Sequence, residues 1–351
     1  MARKVIVAMS GGVDSSVAAG LLVEQGYDVE GVSLRLWEGA AGGPRNCSDH
    51  RGAADVAARL GIRHTLIDAR ADFARSVARP FAAEYLAGRT PNPCIACNRD
   101  FKLGVLLDWA RERGADCVAT GHYARVAGGA GERASLARGR DRNKDQSYFL
   151  FALSQEQLAG ALFPLGEMEK SEVRAAARRF GLAVADRPES QDVCFGDYRE
   201  LVESLADPED IHGGEIVDRA GRVLGRHDGL HRLTVGQRKG LGLSSPHPLY
   251  VLEIDVATRR VVVGGREELD CRGLVAGALN WIEPPERGEF AAAVQVRYRS
   301  PAAPCVVRVR DGGACEAIFD DALASVTPGQ AAVFYRGDRV LGGGWIERAI
   351  G

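Results

Sequence analysis

The sequence predicts an α/β fold: a parallel-sheet domain followed by a small central domain and a C-terminal β-barrel. Three observations predict it. Through the first part of the chain, apolar strand-like runs alternate with segments of helical spacing, the pattern of a parallel sheet with crossover helices. The first of those runs passes into a glycine-rich turn that opens a helix, as at a phosphate site. After about Leu205 helical periodicity disappears, and Gly, Pro, Val and Arg dominate, with turn signals about every 8–12 residues, the spacing of small β-domains. The boundaries read from these shifts are 1–205, 206–270 and 271–351.

Residues 4–9, Lys-Val-Ile-Val-Ala-Met, show no alternation and read as a buried parallel strand. Val13, Val17, Leu21 and Leu22 then recur at helical spacing. Between them, Ser10, Gly11 and Gly12 let the backbone turn sharply and approach a ligand, at a helix N-terminus whose dipole favours an anion. No GK[ST] is present, so this is not a Walker A loop, and no G-x-G-x-x-G follows the strand. Further strands fall at 29–36, 64–67 and 116–120, with a helix at 48–60. Ligands of such sheets lie beyond the carboxyl ends of the strands. The loop after Met9, the strand end near Leu34, and Gly121-His122 all fall there.

Residues 128–142 are a Gly/Arg-rich hairpin region, followed by the polar opening of Lys144-Asp145-Gln146-Ser147. A capped helix, basic on one side, is predicted over 171–180. Residues 291–297 and 306–310 read as strands of the terminal barrel.

At 351 residues, 46% hydrophobic and 26% charged, the chain has the composition of a globular protein of two or three domains. No apolar run approaches the ~18 residues of a membrane span. Residues 1–9 run straight into the phosphate loop and are too short for a signal peptide, so a cytoplasmic location is expected. A net charge of −2 gives no global nucleic-acid signature, which leaves local basic patches. One holds Arg219, Arg222, Arg226, Arg232, Arg238 and Lys239 against Asp228 alone; another holds Arg297, Arg299, Arg308 and Arg310 with no acid. Gly and Thr around Arg238-Lys239 suit an exposed loop that contacts phosphate.

The eight cysteines form no dense framework, which in a reducing compartment argues for thiol or metal chemistry over disulfide staples. Cys94 and Cys97 form a CxxC after a rigid Pro91-Asn92-Pro93 turn and open a helix expected over 101–111. A helix N-terminus stabilises a thiolate there. Cys194, among polar residues and glycine, is the natural third thiol. Cys117 and Cys305 read as core, Cys47 is ambiguous, and Cys271 and Cys315 carry no signal.

SGGVDSS, GRTPNPCIACN, GHYAR, KDQSYFL, SQDVCFG, TVGQRKGLG, RYRSP and LGGGWI occur together in this order. The loop alone resembles the PP-loop of N-type ATP pyrophosphatases, whose domain is adenine nucleotide alpha hydrolase-like. The full set resembles the bacterial tRNA-specific 2-thiouridylases, from about residue 4 to about residue 346. The resemblance implies adenylation of the C2 oxygen of the wobble uridine, then sulfur transfer, with release of AMP and pyrophosphate. It implies ATP with Mg²⁺ as cofactors. Its partners would be tRNA of the Lys, Glu and Gln type and a sulfur donor protein or sulfide, with neither DNA nor membrane.

Carried over residue by residue, Ala8, Met9, Ser10, Gly11, Gly12, Val13, Asp14, Ser15 and Ser16 would hold ATP, with Leu34 and Gly121 at the adenosine. Asn92, Pro93 and Cys94 would lie against the target base. Cys97 would be the nucleophile, and Cys194 the persulfide carrier. His122, Lys144, Asp145, Gln146, Arg297, Tyr298 and Gln330 would touch tRNA, beside Arg238 and Lys239 from the basic loop. The departure is Cys94, where many members carry an aspartate. Two chemistries stay open: a persulfide relay between Cys97 and Cys194, able to form a disulfide when oxidised, or a [4Fe–4S] cluster on Cys94, Cys97 and Cys194 with one iron open. The rivals are another N-type pyrophosphatase, which needs no distant thiols, and a non-catalytic RNA-binding protein with a structural metal, which needs no PP-loop.

Overall fold

The computed structural model describes residues 2–37, 49–129, 131–187, 196–286 and 288–351. Cys47 and Cys194, with most of the SQDVCFG motif, lie outside the described residues. The chain forms two compact units. One comprises Met1–Val77, Pro93–Gly196 and Asp338–Leu341; the other comprises Ala78–Asn92, Asp197–Gly337 and Gly342–Gly351. No helix of the described residues is long and apolar enough to cross a membrane.

In the first unit, strand β1 (Lys4–Ala8) is buried on both faces, with Val5, Ile6 and Val7 inaccessible to solvent. Helix α1 (Val13–Glu24) follows, then β2 (Asp28–Arg35), α2 (His50–Leu60), β3 (Arg63–Asp68) and β4 (Cys117–Ala119). Strands β5 (Ala124–Ala127) and β6 (Ser135–Arg138) make an antiparallel hairpin, and β7 (Ala161–Leu162) and α3 (Lys170–Arg179) complete the unit. The sheet order is β3-β2-β1-β4-β7, parallel throughout. The connection reverses direction between β1 and β4, so the crevice beyond their carboxyl ends is the topological switch point.

The core on one side of this sheet joins Val5, Val7, Val17, Leu22, Val56, Cys117 and Val173. Helix α1 is buried almost all round, which its small residues permit. At Gly20 an added Cβ would meet the Phe180 ring at 2.6 Å, so the glycine sets how closely the two chain segments pack.

Two helix boundaries differ from expectation for reasons of capping. The 171–180 helix begins at Lys170, because the N–H of Glu169 is bonded by the Glu172 carboxylate at 2.6 Å; Ser171 lies inside the first turn. The helix expected over 101–111 begins at Pro93, the residue best suited to a first helical position, and runs to Glu112.

In the second unit, β8 (Gly214–Asp218), β9 (Val223–His227), β10 (Tyr250–Asp255) and β11 (Arg260–Gly264) form a sheet ordered β10-β11-β8-β9. Its core gathers Ile216, Leu230, Leu233, Val251, Val261 and Val263. Strands β12 (Asp270–Trp281), β13 (Glu289–Gln295), β14 (Ala303–Arg310), β15 (Ala314–Ala324), β16 (Ala331–Arg336) and β17 (Arg339–Ile350) run in the order β12-β15-β14-β13-β16-β17. Strand β17 pairs back onto β12, closing a barrel and removing its edges. Leu274, Ala276, Val294, Val307, Cys315 and Ala317 fill it at the two-residue period of strands. Strand β13 ends at Gln295, so Arg297 and Tyr298 occupy the turn that follows it; Arg299 there has φ +66°.

The second unit also takes in residues 78–92, which no sequence signal set apart. Within it, the N–H of Thr90 donates to the Pro328 carbonyl at 2.9 Å, and Gln330 Nε2 donates to the Thr90 carbonyl at 2.6 Å. At Gly88, φ is +69° and an added Cβ would meet Val256 at 2.8 Å. The Gly88-Arg89-Thr90 stretch is therefore a strap on the β-rich unit, and the cysteine helix starts immediately after it in the chain.

The strap yields a stability prediction. Gln330→Leu keeps the volume but leaves the buried Thr90 carbonyl without its donor, and should cost about 1–3 kcal/mol. Chemical denaturation followed by tryptophan fluorescence measures it; an unchanged midpoint would show that the strap is not held by this bond.

Candidate active site

The phosphate loop is shaped by its own side chains. Gly11 adopts φ +77°, and Gly12 is the N-cap of α1. Ser15 Oγ accepts from the Ser10 N–H at 3.1 Å, and the Ser16 hydroxyl donates to the Gly12 carbonyl at 2.8 Å. The serines thus tie down loop groups, while the first-turn N–H groups of α1 have no intrahelical acceptor and face the position an anion would take. Gly121, after β4, lies against this turn: an added Cβ would be 2.7 Å from the Asp14 carbonyl carbon and 2.7 Å from the Ser15 nitrogen. The loops after β1 and β4 therefore meet, as the strand-end argument requires. Leu34 is buried at the end of β2, beside Ser33, whose hydroxyl donates to the Met9 carbonyl at 2.7 Å.

Three side chains at this loop were not singled out in the sequence. Lys170 Nζ bonds both carboxylate oxygens of Asp14, at 2.7 and 2.9 Å, and the Tyr123 hydroxyl donates to the same carboxylate at 2.7 Å. The loop has no Walker lysine of its own, but α3 brings an ammonium to it from 156 residues away. Arg187 donates to Asp49 at 2.7 Å and to the Gly11 carbonyl at 3.3 Å. Asp49 caps α2 through the Gly52 N–H, and that bond, with Arg187, holds its carboxyl below the ordinary range. Tyr123 stands in GHYAR and Arg187 shortly before SQDVCFG, so the motifs mark the neighbourhood; Lys170 had only its place at a helix start.

The cysteine helix is in the same unit. Cys94 is half-buried in its first turn and Cys97 is buried three residues on, so the two share a face. The dipole argument made for a helix starting later applies with most force to Cys94. From Cys97 to Val105 the helix widens to π geometry, where a plain helix was expected. Gln157 Nε2 supports the wide turn by donating to the Arg99 carbonyl at 2.6 Å, and an added Cβ at Gly104 would lie 2.7 Å from that same carbonyl oxygen. Such π segments are rare and frequently mark functional sites. Among the described residues, no three His, Cys, Asp or Glu side chains form a group able to hold a metal.

The family model described as the tRNA methyl transferase HUP domain matches residues 3–197. The tRNA methyl transferase PRC-barrel domain matches 205–265, and the aminomethyltransferase β-barrel domain matches 271–346. The tRNA-specific 2-thiouridylase of Geobacter metallireducens is 48% identical over 359 residues, covering 99% of this chain and 98% of that protein. Those of Syntrophotalea carbinolica and Acidithiobacillus ferrooxidans are each 49% identical, covering 98% of this chain and 98% of theirs. The chain belongs to the tRNA-specific 2-thiouridylase family.

The residues that the 2-thiouridylase resemblance and the basic loop assign to tRNA fall into two groups. Arg238, Lys239 and Arg297 are exposed, and Tyr298 is half-buried. Asn92 is half-buried and Pro93 buried at the helix start; Lys144 is half-buried. The others are committed internally. Asp145 is buried and accepts from Arg138 at 2.7 Å, from the Gly139 and Ser147 N–H groups and from the Ser147 hydroxyl. Gln146 Oε1 accepts from the Tyr123 N–H at 3.1 Å, and Gln330 holds Thr90. His122 is buried with Nδ1 2.6 Å from Thr120 Oγ1; burial, with Lys102 nearby, pushes its pKa well below the ordinary value. It is therefore neutral at physiological pH.

Two predictions follow from this geometry. Gly121→Ala forces a methyl group into the Asp14–Ser15 backbone, so it should cost about 1–3 kcal/mol and weaken ATP binding; calorimetry reads both, and wild-type affinity would contradict the contact. The second concerns thiols. Burial pushes Cys305 and Cys315 up to about 12 and raises Cys117 and Cys271. A group raised in this way stays protonated, and therefore unreactive, near neutral pH. Brief alkylation of the folded protein, read by peptide mass mapping, should leave these four unmodified until denaturant is added.

Proposed function

We propose that the chain is a cytoplasmic, ATP-dependent enzyme that replaces oxygen by sulfur at C2 of the wobble uridine of tRNA, with tRNAs of the Lys, Glu and Gln type as substrates. The observation that carries the reading is the presence, in one unit, of a phosphate loop at the switch point and a helix that opens on two thiols. The uracil C2 oxygen is a poor leaving group. Its attack on the α-phosphorus of ATP expels pyrophosphate and leaves it as part of AMP, a good one. A sulfur nucleophile then adds at C2, and AMP departs with the original oxygen. The wobble base must leave the anticodon stack to reach such a site.

The first-turn N–H groups of α1 neutralise phosphate charge, and Mg²⁺ bound to the phosphates would screen the rest. Arg238, Lys239, Arg297 and Tyr298 suit phosphate and sugar contacts by their exposure. In the relay, Cys194 takes sulfane sulfur from the persulfide of a donor protein. The Cys97 thiolate attacks that persulfide, which releases hydrosulfide for C2 and leaves a Cys97–Cys194 disulfide that an external thiol reduces before the next turnover. A second reading rests on Cys94. A thiol stands one helical turn from Cys97, so two of the three thiolates of an iron–sulfur cluster come from one helix face, and Cys194 would supply the third. Such a cluster would offer an open iron for sulfide.

Incubation of tRNA with the protein, ATP, a thiol reductant and either a persulfide-bearing donor or sulfide, with mass analysis of the nucleosides, tests the reaction. The expected product gains the mass of an oxygen-to-sulfur exchange, and AMP and pyrophosphate appear with it. A methyl-sized gain, or release of ADP and orthophosphate, would refute the reading. Cys97→Ser should lower turnover by at least about 10³-fold. The two sulfur routes separate on Cys94→Ser prepared without iron: full activity supports the relay, and lost activity together with iron and sulfide in anaerobic wild-type protein supports the cluster.

A further inference from the structure

Lys170 and Arg187 both reach the phosphate loop, but their donors are used differently. Lys170 is held against both oxygens of Asp14. Arg187 engages the described residues only through Nη1, at Asp49 and at the Gly11 carbonyl. A guanidinium is a planar fork of five donors, so Nε and Nη2 remain for a ligand among the described residues. The group is nonetheless aimed. The backbone N–H of Arg187 donates to the Val184 carbonyl at 3.2 Å, while Arg174 donates to the Ala185 carbonyl at 2.6 Å and to the Arg187 carbonyl at 3.4 Å, which fixes the backbone beneath it.

Asp49 is equally fixed. Its N–H donates to the Ser10 carbonyl at 2.8 Å, and an added Cβ at Gly11 would lie 2.4 Å from its carbonyl oxygen. The ion pair therefore abuts the loop at the turn whose N–H groups await an anion.

We propose that Arg187 is a polyphosphate-binding residue: it holds the β- and γ-phosphates of ATP, and the pyrophosphate cleaved from it, in exchange for the Asp49 carboxylate. This rests on the reading that the loop binds ATP. The N–H groups of α1 offer only the partial positive charge of a helix start, whereas most of the charge of ATP lies on the β- and γ-phosphates. An arginine with two uncommitted donors at the loop supplies the bidentate, charge-assisted bonds they need. Asp49 keeps the guanidinium in place while no anion is present.

The test is calorimetry of ATP, AMP and inorganic pyrophosphate on the whole protein at constant salt and Mg²⁺. Arg187→Gln should weaken ATP and pyrophosphate about tenfold and leave AMP unchanged. Asp49→Asn, which keeps a good N-cap residue for α2, should bind ATP at least as tightly as wild type. Wild-type ATP affinity in Arg187→Gln, or equal losses for ATP and AMP, would overturn the assignment. So would Asp49→Asn losing as much as Arg187→Gln, because the ion pair itself would then be the needed element. A wild-type protein that binds no ATP would overturn the functional reading and this assignment together, whereas the variant outcomes bear on Arg187 alone.

Discussion

The close approach of Gly121 to the Asp14–Ser15 backbone is the constraint on which the first unit depends. Parallel strands β1 and β4 are neighbours, but their connections leave in opposite senses, so the loops beyond them could have stayed apart. They are held together because nothing projects from Gly121: the space a methyl group would take already belongs to the Asp14 carbonyl carbon and the Ser15 nitrogen. That contact fixes the first turn of α1, and with it the direction of the N–H groups. Tyr123, two residues further on, then reaches the Asp14 carboxylate without any search of its own. A single small residue thus couples the strand-end crevice, the phosphate loop and the acid at its mouth.

The cysteine helix is governed by a different kind of economy. Pro93 starts it, and the residues immediately before Asn92 are strapped onto the β-rich unit by Thr90 and Gln330. From Cys97 to Val105 the helix widens into a π segment, and Gln157 Nε2 donates to the Arg99 carbonyl there. Cys94 thus sits in the α-helical first turn, and Cys97 is the residue at which the helix begins to widen.

Much of this was legible in the sequence, and the physical reason is locality. Uninterrupted apolar runs declare buried parallel strands, and two glycines between a strand and a helix declare a phosphate turn; both are contained in a few adjacent residues. What stayed hidden depends on pairs far apart in the chain. Lys170 meets Asp14 across 156 residues and Arg187 meets Asp49 across 138, and neither lysine nor arginine stands out among 45 such residues. Capping explains the smaller misses: the helix start at Lys170 was set by the Glu169–Glu172 pair, where a serine one residue later looked sufficient. The resemblance assigns Asp145, Gln146 and Gln330 to tRNA, and the structure adds that their side chains also bond neighbouring backbone, a role that no local sequence pattern announces.

The ion pairs of the first unit differ in what they can do, and burial decides it. Arg138 and Asp145 are largely shielded, with side-chain exposures of 17% and 6%, and Asp145 is also bonded by two backbone N–H groups and a hydroxyl. Removing one partner of such a pair strands a charge and costs about 3–5 kcal/mol, so this pair is architecture. Arg187 and Asp49 are 47% and 38% exposed, in the range where an ion pair contributes about 0–1 kcal/mol. Water can take over either partner at little cost, so a more highly charged anion can displace the carboxylate. Lys170 and Asp14, at 12% and 33%, lie between the two, held on one side by the protein and open on the other. The Arg187–Asp49 pair at the loop is thus the one whose exchange is energetically cheap, while the pair that shapes the neighbouring Asp145 turn is the one that must not move.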